Sequence, residues 1–86
     1  MITVDVVDDR ADPVKLAAVV DGARFEVTVA KRDLERLARK GEGAAPFVKR
    51  CFEFLLEREP KESILSRFDV SVIGKYFPEF EREIAS

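Results

Sequence analysis

The sequence contains no histidine and no tryptophan, and it has only one cysteine and one tyrosine. A single cysteine, Cys51, cannot form an internal disulfide. A catalytic thiol needs a base, and no histidine is present to serve as one. Histidine is also the side chain that most often acts as a general acid or base near neutral pH, so the chain lacks the usual group for such catalysis. We therefore predict that the protein is not an enzyme.

The chain is also poor in the patterns that hold phosphates and metals. Asp8, Asp9 and Asp12 lack the alternating ligands and the central glycine of a calcium loop. None of the glycines falls at the spacing of a phosphate-binding or dinucleotide-binding loop, and they are Gly22, Gly41, Gly43 and Gly74. The sequence predicts no cofactor and no metal.

Long hydrophobic runs are absent as well. No stretch approaches the roughly 18 apolar residues of a membrane span. The N-terminal MITVDVVDD has no basic region ahead of an apolar run, so it does not resemble a signal peptide. A lone cysteine is typical of a reducing compartment. We therefore expect a cytoplasmic protein with no membrane partner.

The composition favours one globular domain. The 86 residues suffice for a single unit, 1–86. Apolar residues form 47% of the chain and include seven phenylalanines, which is ample for a core. The charged residues, 37% of the chain, are balanced in sign, and the net charge is only −2. Such a balance argues against a disordered chain.

The clearest local motif is a β-hairpin, in which Val14–Val20 and Ala23–Val29 flank Asp21-Gly22. Asp-Gly is favoured in a type I′ turn, where both central residues take positive φ. If Val20 pairs with Ala23, the apolar partners along both strands share one face. The sequence therefore predicts this hairpin and this register.

A further strand is predicted at the start of the chain, where Ile2, Val4 and Val6 alternate with polar residues. Together with the hairpin it gives an expected three-stranded sheet within residues 1–30. Residues 31–86 are predicted to be helical. The expected class is α+β, with the sheet packed against three to four C-terminal helices.

The central helix is predicted over Pro46–Glu59, PFVKRCFEFLLERE. Its apolar side chains cover roughly 200° of the helix surface, more than an ordinary surface helix needs, so we expect cover on both flanks. Phe52 lies in the middle of this arc. Phe54 lies at its edge, and we expect it to contribute less to the core.

Shorter helices are predicted on either side of the central one. Residues 30–40 carry a narrow apolar stripe followed by Gly41, a typical residue after a helix end. Residues 60–68 carry a second stripe. Asp69 or Ser71 can cap a further short helix over 72–77, and a last helical turn follows Pro78.

The C-terminal stretch ESILSRFDVSVIGKYFPEFEREI resembles the ending of short bacterial proteins that carry no assigned function. The resemblance is an FDxxxIxxYFPEFE-type pattern, formed here by Phe68-Asp69, Ile73 and Tyr76–Glu81. It covers about a quarter of the chain. It implies a bacterial intracellular protein, and it supplies no site residues.

Two functions remain open from the sequence. The first is a small protein-interaction module, either a monomer or a homodimer. Seven phenylalanines and Tyr76 exceed what a small core must hold, and surplus apolar groups tend to form interfaces. The candidate interface residues are Phe54, Tyr76, Phe77 and Phe80.

The alternative is a nucleic-acid-associated accessory protein. Residues 31–50 hold seven basic and three acidic side chains, a local charge of +4. Against this, the pI of the chain is about 5.2, whereas nucleic-acid-binding domains typically lie above about 9. The candidate phosphate contacts are Lys31, Arg32, Arg36, Arg39 and Lys40.

Overall fold

The β-hairpin forms in the predicted register in the computed structural model, which describes all residues from Met1 to Ser86. Strands β2 (Val14–Val20) and β3 (Ala23–Val29) pair antiparallel, with Val20 opposite Ala23 and Val14 opposite Val29. Asp21 and Gly22 have φ values of 48° and 87°, as a type I′ turn requires. The hairpin prediction is confirmed.

Strand β1 (Ile2–Asp8) lies at one edge of the sheet, antiparallel to β2. Its pairing runs regularly from Ile2 opposite Val20 to Val6 opposite Leu16. The register then shifts, so that Asp8 faces Lys15 and two residues of β1 oppose one of β2. This is a β-bulge, which bends an edge strand and increases its twist.

A fourth strand, β4 (Arg67–Asp69), pairs in parallel with β3 and gives the order β1-β2-β3-β4. The prediction of a three-stranded sheet is therefore wrong, although the α+β class is correct. The helix expected over 60–68 is also wrong, since only one 3₁₀ turn forms there, Lys61–Ser63. Ile64 and Phe68 are four residues apart, which imitates helical spacing. In the structure Phe68 lies opposite Val27 in the sheet.

Helix α2 (Ala44–Leu56) covers one face of the sheet and completes the core. It begins two residues before the predicted start and ends three before the predicted end. Its apolar arc is enclosed on both flanks, as predicted, and the buried residues are Phe47, Val48, Cys51, Phe52, Phe54 and Leu55. The opposite face of the sheet alternates toward solvent and stays largely exposed.

Helix α1 (Lys31–Leu37) is shorter than the predicted 30–40. Ala38 is extended, with ψ of 154°, and ends the helix. Gly41 is therefore not the residue after the helix end. It has φ of 78° within a tight turn, in which the amide of Glu42 donates to the carbonyl of Arg39 at 2.9 Å.

The C-terminal third forms a 3₁₀ turn, Val70–Val72, followed by two short helices, α3 (Ile73–Tyr76) and α4 (Phe80–Ile84). The side chain of Asp69 accepts a hydrogen bond from the amide of Ser71 at 3.0 Å. The predicted cap is thus Asp69. Pro78 separates α3 from α4, as expected.

Four arginines fasten the C-terminal segment to the rest of the fold, and we call them the arginine clamp: Arg36, Arg39, Arg50 and Arg58. Arg36 makes a bidentate pair with Glu81 at 2.8 and 3.0 Å. Arg58 donates to Glu79 and Glu83, each at 3.0 Å. Bidentate arginine–carboxylate pairs fix geometry as well as charge.

The other two members of the clamp bind backbone carbonyls. Arg50 donates to the carbonyl of Ile84 at 2.6 Å, and Arg39 donates to that of Ser86 at 3.3 Å. Arg50 also makes two hydrogen bonds to Glu42, at 2.6 and 2.7 Å.

Each helix is too short or too polar to span a bilayer.

Candidate functional site

An apolar groove opens between the C-terminal end of α2, the segment that follows it and α3. Its volume is about 360 Å³. Eight of the ten residues that line it are hydrophobic. The lining residues are Leu55, Ile64, Leu65, Phe68, Val72, Ile73, Tyr76 and Phe77, together with Glu59 and Ser63.

The floor of the groove rests on aromatic residues of the core. Phe68 of β4 packs edge-on against Phe52, with ring centroids 5.9 Å apart. Phe52 in turn packs against Phe25 of β3 at 5.2 Å. Aromatic pairs at these separations contribute roughly 0.5–1.5 kcal/mol beyond the burial of their area. The floor is therefore tied to both layers of the fold.

Asp69 positions two of the elements that form the groove. One carboxylate oxygen accepts a hydrogen bond from the hydroxyl of Thr28 on β3 at 2.6 Å. The other accepts one from the amide of Ser71, where the chain turns toward α3. A single side chain thus joins β3, β4 and the 3₁₀ turn that leads into α3, and it ties this wall of the groove to the sheet.

Two large apolar side chains lie at the mouth of the groove and face solvent. Leu65 is 54% exposed and Tyr76 is 69% exposed. Six large hydrophobic residues of the whole chain are exposed, and two of the six lie here. Covering apolar surface gains roughly 25 cal/mol per Å². A partner that covers Leu65 and Tyr76 would gain free energy at this mouth.

The one charged residue among the ten that line the groove is acidic. Glu59 lines the groove, and neither it nor Glu62 takes part in any of the nine ion pairs of the molecule. Lys61 points away, donating to the carbonyl of Asp21 at 2.8 Å. Lys61 and Lys75, which lies on α3, are likewise absent from the nine ion pairs. The lining of the groove therefore carries one negative charge and no positive one.

The four residues predicted to form an interface divide into two pairs. Tyr76 and Phe77 line the groove. Phe54 and Phe80 are only 6% and 1% exposed, and their rings pack against each other at 5.1 Å. These two belong to the core, where they cannot meet a partner. Phe54 also packs against Phe77 at 5.9 Å, so it supports the wall of the groove from behind.

The five residues predicted to contact phosphates do not form one free cationic surface. Arg36 and Arg39 belong to the arginine clamp and bind Glu81 and the carbonyl of Ser86. Lys31, Arg32 and Lys40 are exposed and take part in no ion pair. The acidic C-terminal segment thus lies against the basic one and offsets part of its charge.

The groove contains little that could perform acid–base or nucleophilic chemistry. Glu59 and Tyr76 are its only titratable residues. Cys51 lies in the core, where burial raises the pKa of its thiol to about 12. The molecule holds no group of three or more histidine, cysteine, aspartate or glutamate residues placed to bind a metal ion. The arrangement suits binding by apolar contact.

Sequence reasoning did not single out Leu65 and Val72 as site residues. It assigned Leu65, with Ile64 and Phe68, to the apolar face of one helix. The structure instead buries Ile64 and Phe68 and leaves Leu65 exposed between them. A signal was available in Pro60 and the three residues that follow it, Lys61–Ser63. This short segment is compatible with a single 3₁₀ turn followed by extended chain, as well as with the start of a longer helix.

A second depression lies on the exposed face of the sheet, beside β2, β3 and β4. It is larger, about 610 Å³, but only four of its eight lining residues are hydrophobic. Two of the polar ones, Glu26 and Arg67, already pair with each other at 2.7 Å. The depression has one exposed large apolar side chain, Val19, whereas the groove has two.

A scan against protein-family models, a search of curated proteins and a search of solved structures each found no match for this chain. The resemblance of the C-terminal stretch to short bacterial proteins therefore stays a prediction.

Proposed function

We propose that this protein is a small, non-catalytic binding module that recognises an apolar segment of another protein through the groove between α2 and α3. The observation that supports this proposal is the pair of exposed side chains, Leu65 and Tyr76, at the mouth of a groove lined by hydrophobic residues. Exposed apolar groups that are adjacent, and not scattered singly, are typical of interaction sites.

The proposed partner is an amphipathic segment with two or three large apolar side chains and a nearby lysine or arginine. A volume of about 360 Å³ has room for only a few such side chains. The unpaired carboxylates of Glu59 and Glu62 would attract the basic residue. Grooves of this kind bind amphipathic helices, whose anchors recur three or four residues apart.

A binding role fits the chemistry of the chain better than a catalytic one. Its only thiol is buried, and it has no histidine to act as a base near neutral pH. The same unpaired thiol supports our proposal of a cytoplasmic location, since reducing compartments keep cysteines free.

The nucleic-acid alternative has less support. Two of its five candidate contacts, Arg36 and Arg39, bind the C-terminal segment. Three free cations on a chain with a net charge of −2 provide few phosphate contacts. Substituting Arg36 would also release Glu81, so it would not test nucleic-acid binding cleanly.

The proposal is tested by selecting short peptides from a random display library on the full chain. Each round is counter-selected on the double variant Leu65→Ser/Tyr76→Ser. We expect the selected peptides to carry two or three leucine, isoleucine or phenylalanine residues beside a basic one. Their affinity for the double variant should fall at least about tenfold, which corresponds to about 1.4 kcal/mol.

The matched control is Val19→Ser, which removes an exposed apolar side chain from the opposite face of the sheet. It should bind the selected peptides as tightly as the unaltered chain does. Peptides that bind the double variant equally well would contradict the proposal. So would NMR shifts on peptide addition that centre on residues outside the groove.

A further inference from the structure

The outer edge of β1 has hydrogen-bonding groups that the chain itself does not satisfy. In an antiparallel pair, successive residues of a strand point their backbone groups alternately toward the neighbour and away from it. The amide of Asp21 donates to the carbonyl of Met1 at 3.2 Å. Thr3 and Asp5 therefore also face β2, whereas Ile2, Val4 and Val6 direct their amides and carbonyls outward.

The apolar side chains at this edge of the sheet are only partly buried. On β2 the inward residues Ala18 and Val20 are 1% and 0% exposed. Their partners on β1, Val4 and Ile2, are only partly buried, and Val6 is 42% exposed. The apolar side chains of β1 are thus less covered than those of β2, although α2 lies directly against β1, and a further strand would cover them.

We propose that two copies of this chain pair along β1, antiparallel about a two-fold axis at Val4, to form one continuous eight-stranded sheet. A two-fold axis requires a self-complementary surface. With Val4 facing its own copy, Ile2 of one chain faces Val6 of the other. This register places apolar residues opposite each other throughout the layer beside α2.

The same register is complementary in charge on the other face. Thr3 of one chain stands opposite Asp5 of the other, so its hydroxyl can donate to that carboxylate. A register centred on Asp5 would instead place two carboxylates directly opposite each other, which is destabilising. The polar residues of β1 therefore favour the same register as its apolar residues do. Because the strand is complementary to itself in this register, the partner that fits it is a second copy of the chain.

The exposed apolar residues of the chain support this choice of surface. Met1, Val6 and Val7 are three of the six large hydrophobics that face solvent, and all lie on or beside β1. In the proposed register Val7 stands beside Met1 of the second chain. One strand from each copy forms a small contact, of the size class found in weak or transient complexes. We therefore expect a dimer that depends on concentration.

The first test is sedimentation equilibrium of the full chain without a tag, at concentrations from micromolar to millimolar. We expect the average mass to rise from 9.7 kDa toward twice that value. Val6→Lys should keep the protein monomeric, because a charge would face Ile2 of the second chain. Val4→Pro should do the same, since it removes an outward amide that the folded monomer does not use.

The matched control is Val19→Lys, at a residue of similar exposure, 39%, on the opposite face of the sheet. It should dimerise like the unaltered chain. The groove variant Leu65→Ser/Tyr76→Ser should dimerise as well, which separates this inference from the proposed function. A mass of 9.7 kDa at every concentration, or a dimer lost only in the Val19 or groove variants, would overturn the proposal.

Amide hydrogen exchange gives an independent readout of the register. The amides of Ile2, Val4 and Val6 should become protected when the protein is concentrated. Those of Thr3 and Asp5 should be protected at all concentrations, because they bond within the chain. Fast exchange of the three outward amides in a concentrated sample would rule out pairing along β1.

Discussion

The guanidinium of Arg58 lies 3.6 Å from the centre of the Phe54 ring. It also donates to the carbonyl of Phe54 at 3.1 Å and to the carboxylates of Glu79 and Glu83. The ring of Phe54 also packs edge-on with the rings of Phe77 and Phe80. One aromatic residue therefore connects α2 to the whole C-terminal segment.

Replacing Phe54 with alanine should destabilise the fold as much as replacing Phe52 does, by about 3–5 kcal/mol in the free energy of unfolding. Both side chains are buried, at 6% and 0% exposure, and both pack against other rings. Urea denaturation of the two variants measures the effect. Tyr76→Ala is the control, and its loss should stay within about 0.5 kcal/mol, as for most surface changes.

A loss for Phe54→Ala well below that for Phe52→Ala would mean that the C-terminal segment does not hold Phe54 as described. The helical wheel of α2 predicts a smaller loss of stability for Phe54→Ala, because it places Phe54 at the edge of the apolar arc. The wheel describes one helix only. Phe54 is buried by Phe77 and Phe80, which lie more than 20 residues further along the chain, and periodicity contains no information on such contacts.

Among the elements, β4 is the shortest strand, and it supplies both the floor of the groove and the residue that holds the turn into α3. It pairs with β3 over three residues, and the amide of Glu26 donates to the carbonyl of Ser66 at 2.8 Å just before it. Its central residue, Phe68, forms the floor, and its last residue, Asp69, positions α3. Loss of β4 would remove the floor and wall together.

Substituting Asp69 with alanine should lower the free energy of unfolding by about 0.5–2 kcal/mol, the usual effect of losing a capping side chain. It should also weaken binding of groove-selected peptides, because the start of α3 loses its fixed position. Thermal unfolding and peptide titration measure the two effects. Ser71→Ala is the control, since Asp69 binds the amide of Ser71 and not its hydroxyl.

If Asp69→Ala and Ser71→Ala had equal and small effects, Asp69 would not be the residue that positions α3.

The hairpin and β4 also show which elements a sequence reveals. The hairpin is local: its turn, its alternation and its register lie within residues 14–29. A three-residue parallel strand shows no alternation, and its partner is distant in sequence, so only the folded structure reveals it.

Across the whole molecule, carboxylates bound by the arginine clamp make stability depend on pH. A hydrogen bond from Arg50 holds the pKa of Glu42 below its ordinary value of 4.5, and one from Arg36 does the same for Glu81. The pKa of Glu79 is lowered by a backbone hydrogen bond and by Arg58. Groups with lowered pKa values stabilise the fold fully above pH 4.5, and this contribution is lost as the pH falls through their folded values.

We therefore expect these groups to cause no change in the free energy of unfolding near neutral pH. Below about pH 4.5 their protonation should lower it. Glu42→Gln should be less stable than the unaltered chain at pH 7, and the difference should shrink toward pH 3. Urea titrations at a series of pH values measure both curves. Parallel curves would mean that Glu42 does not titrate with a lowered pKa.

The groove itself is a property of the whole fold. Composition suggested more aromatic residues than a small core requires, but six of the seven phenylalanines are buried and Phe77 packs against the core. Two of the four candidates, Tyr76 and Phe77, do line the groove. The sequence could not separate them from Phe54 and Phe80, because all four lie on apolar stripes of similar spacing. Which of them face outward depends on how α3 and α4 dock. Asp69 holds the turn that leads into α3, and the clamp holds α4.

The parallel pairing of β3 with β4 also sets an expected order of assembly. Val20 meets Ala23 across a two-residue turn, whereas Thr28 meets Asp69 across a separation of 41 residues. Closing a long loop costs more chain entropy than closing a short one, so the hairpin should form early and β4 should dock late. The floor of the groove is part of β4. A chain that is still folding therefore has no groove to offer, and only a finished molecule is able to receive a partner there.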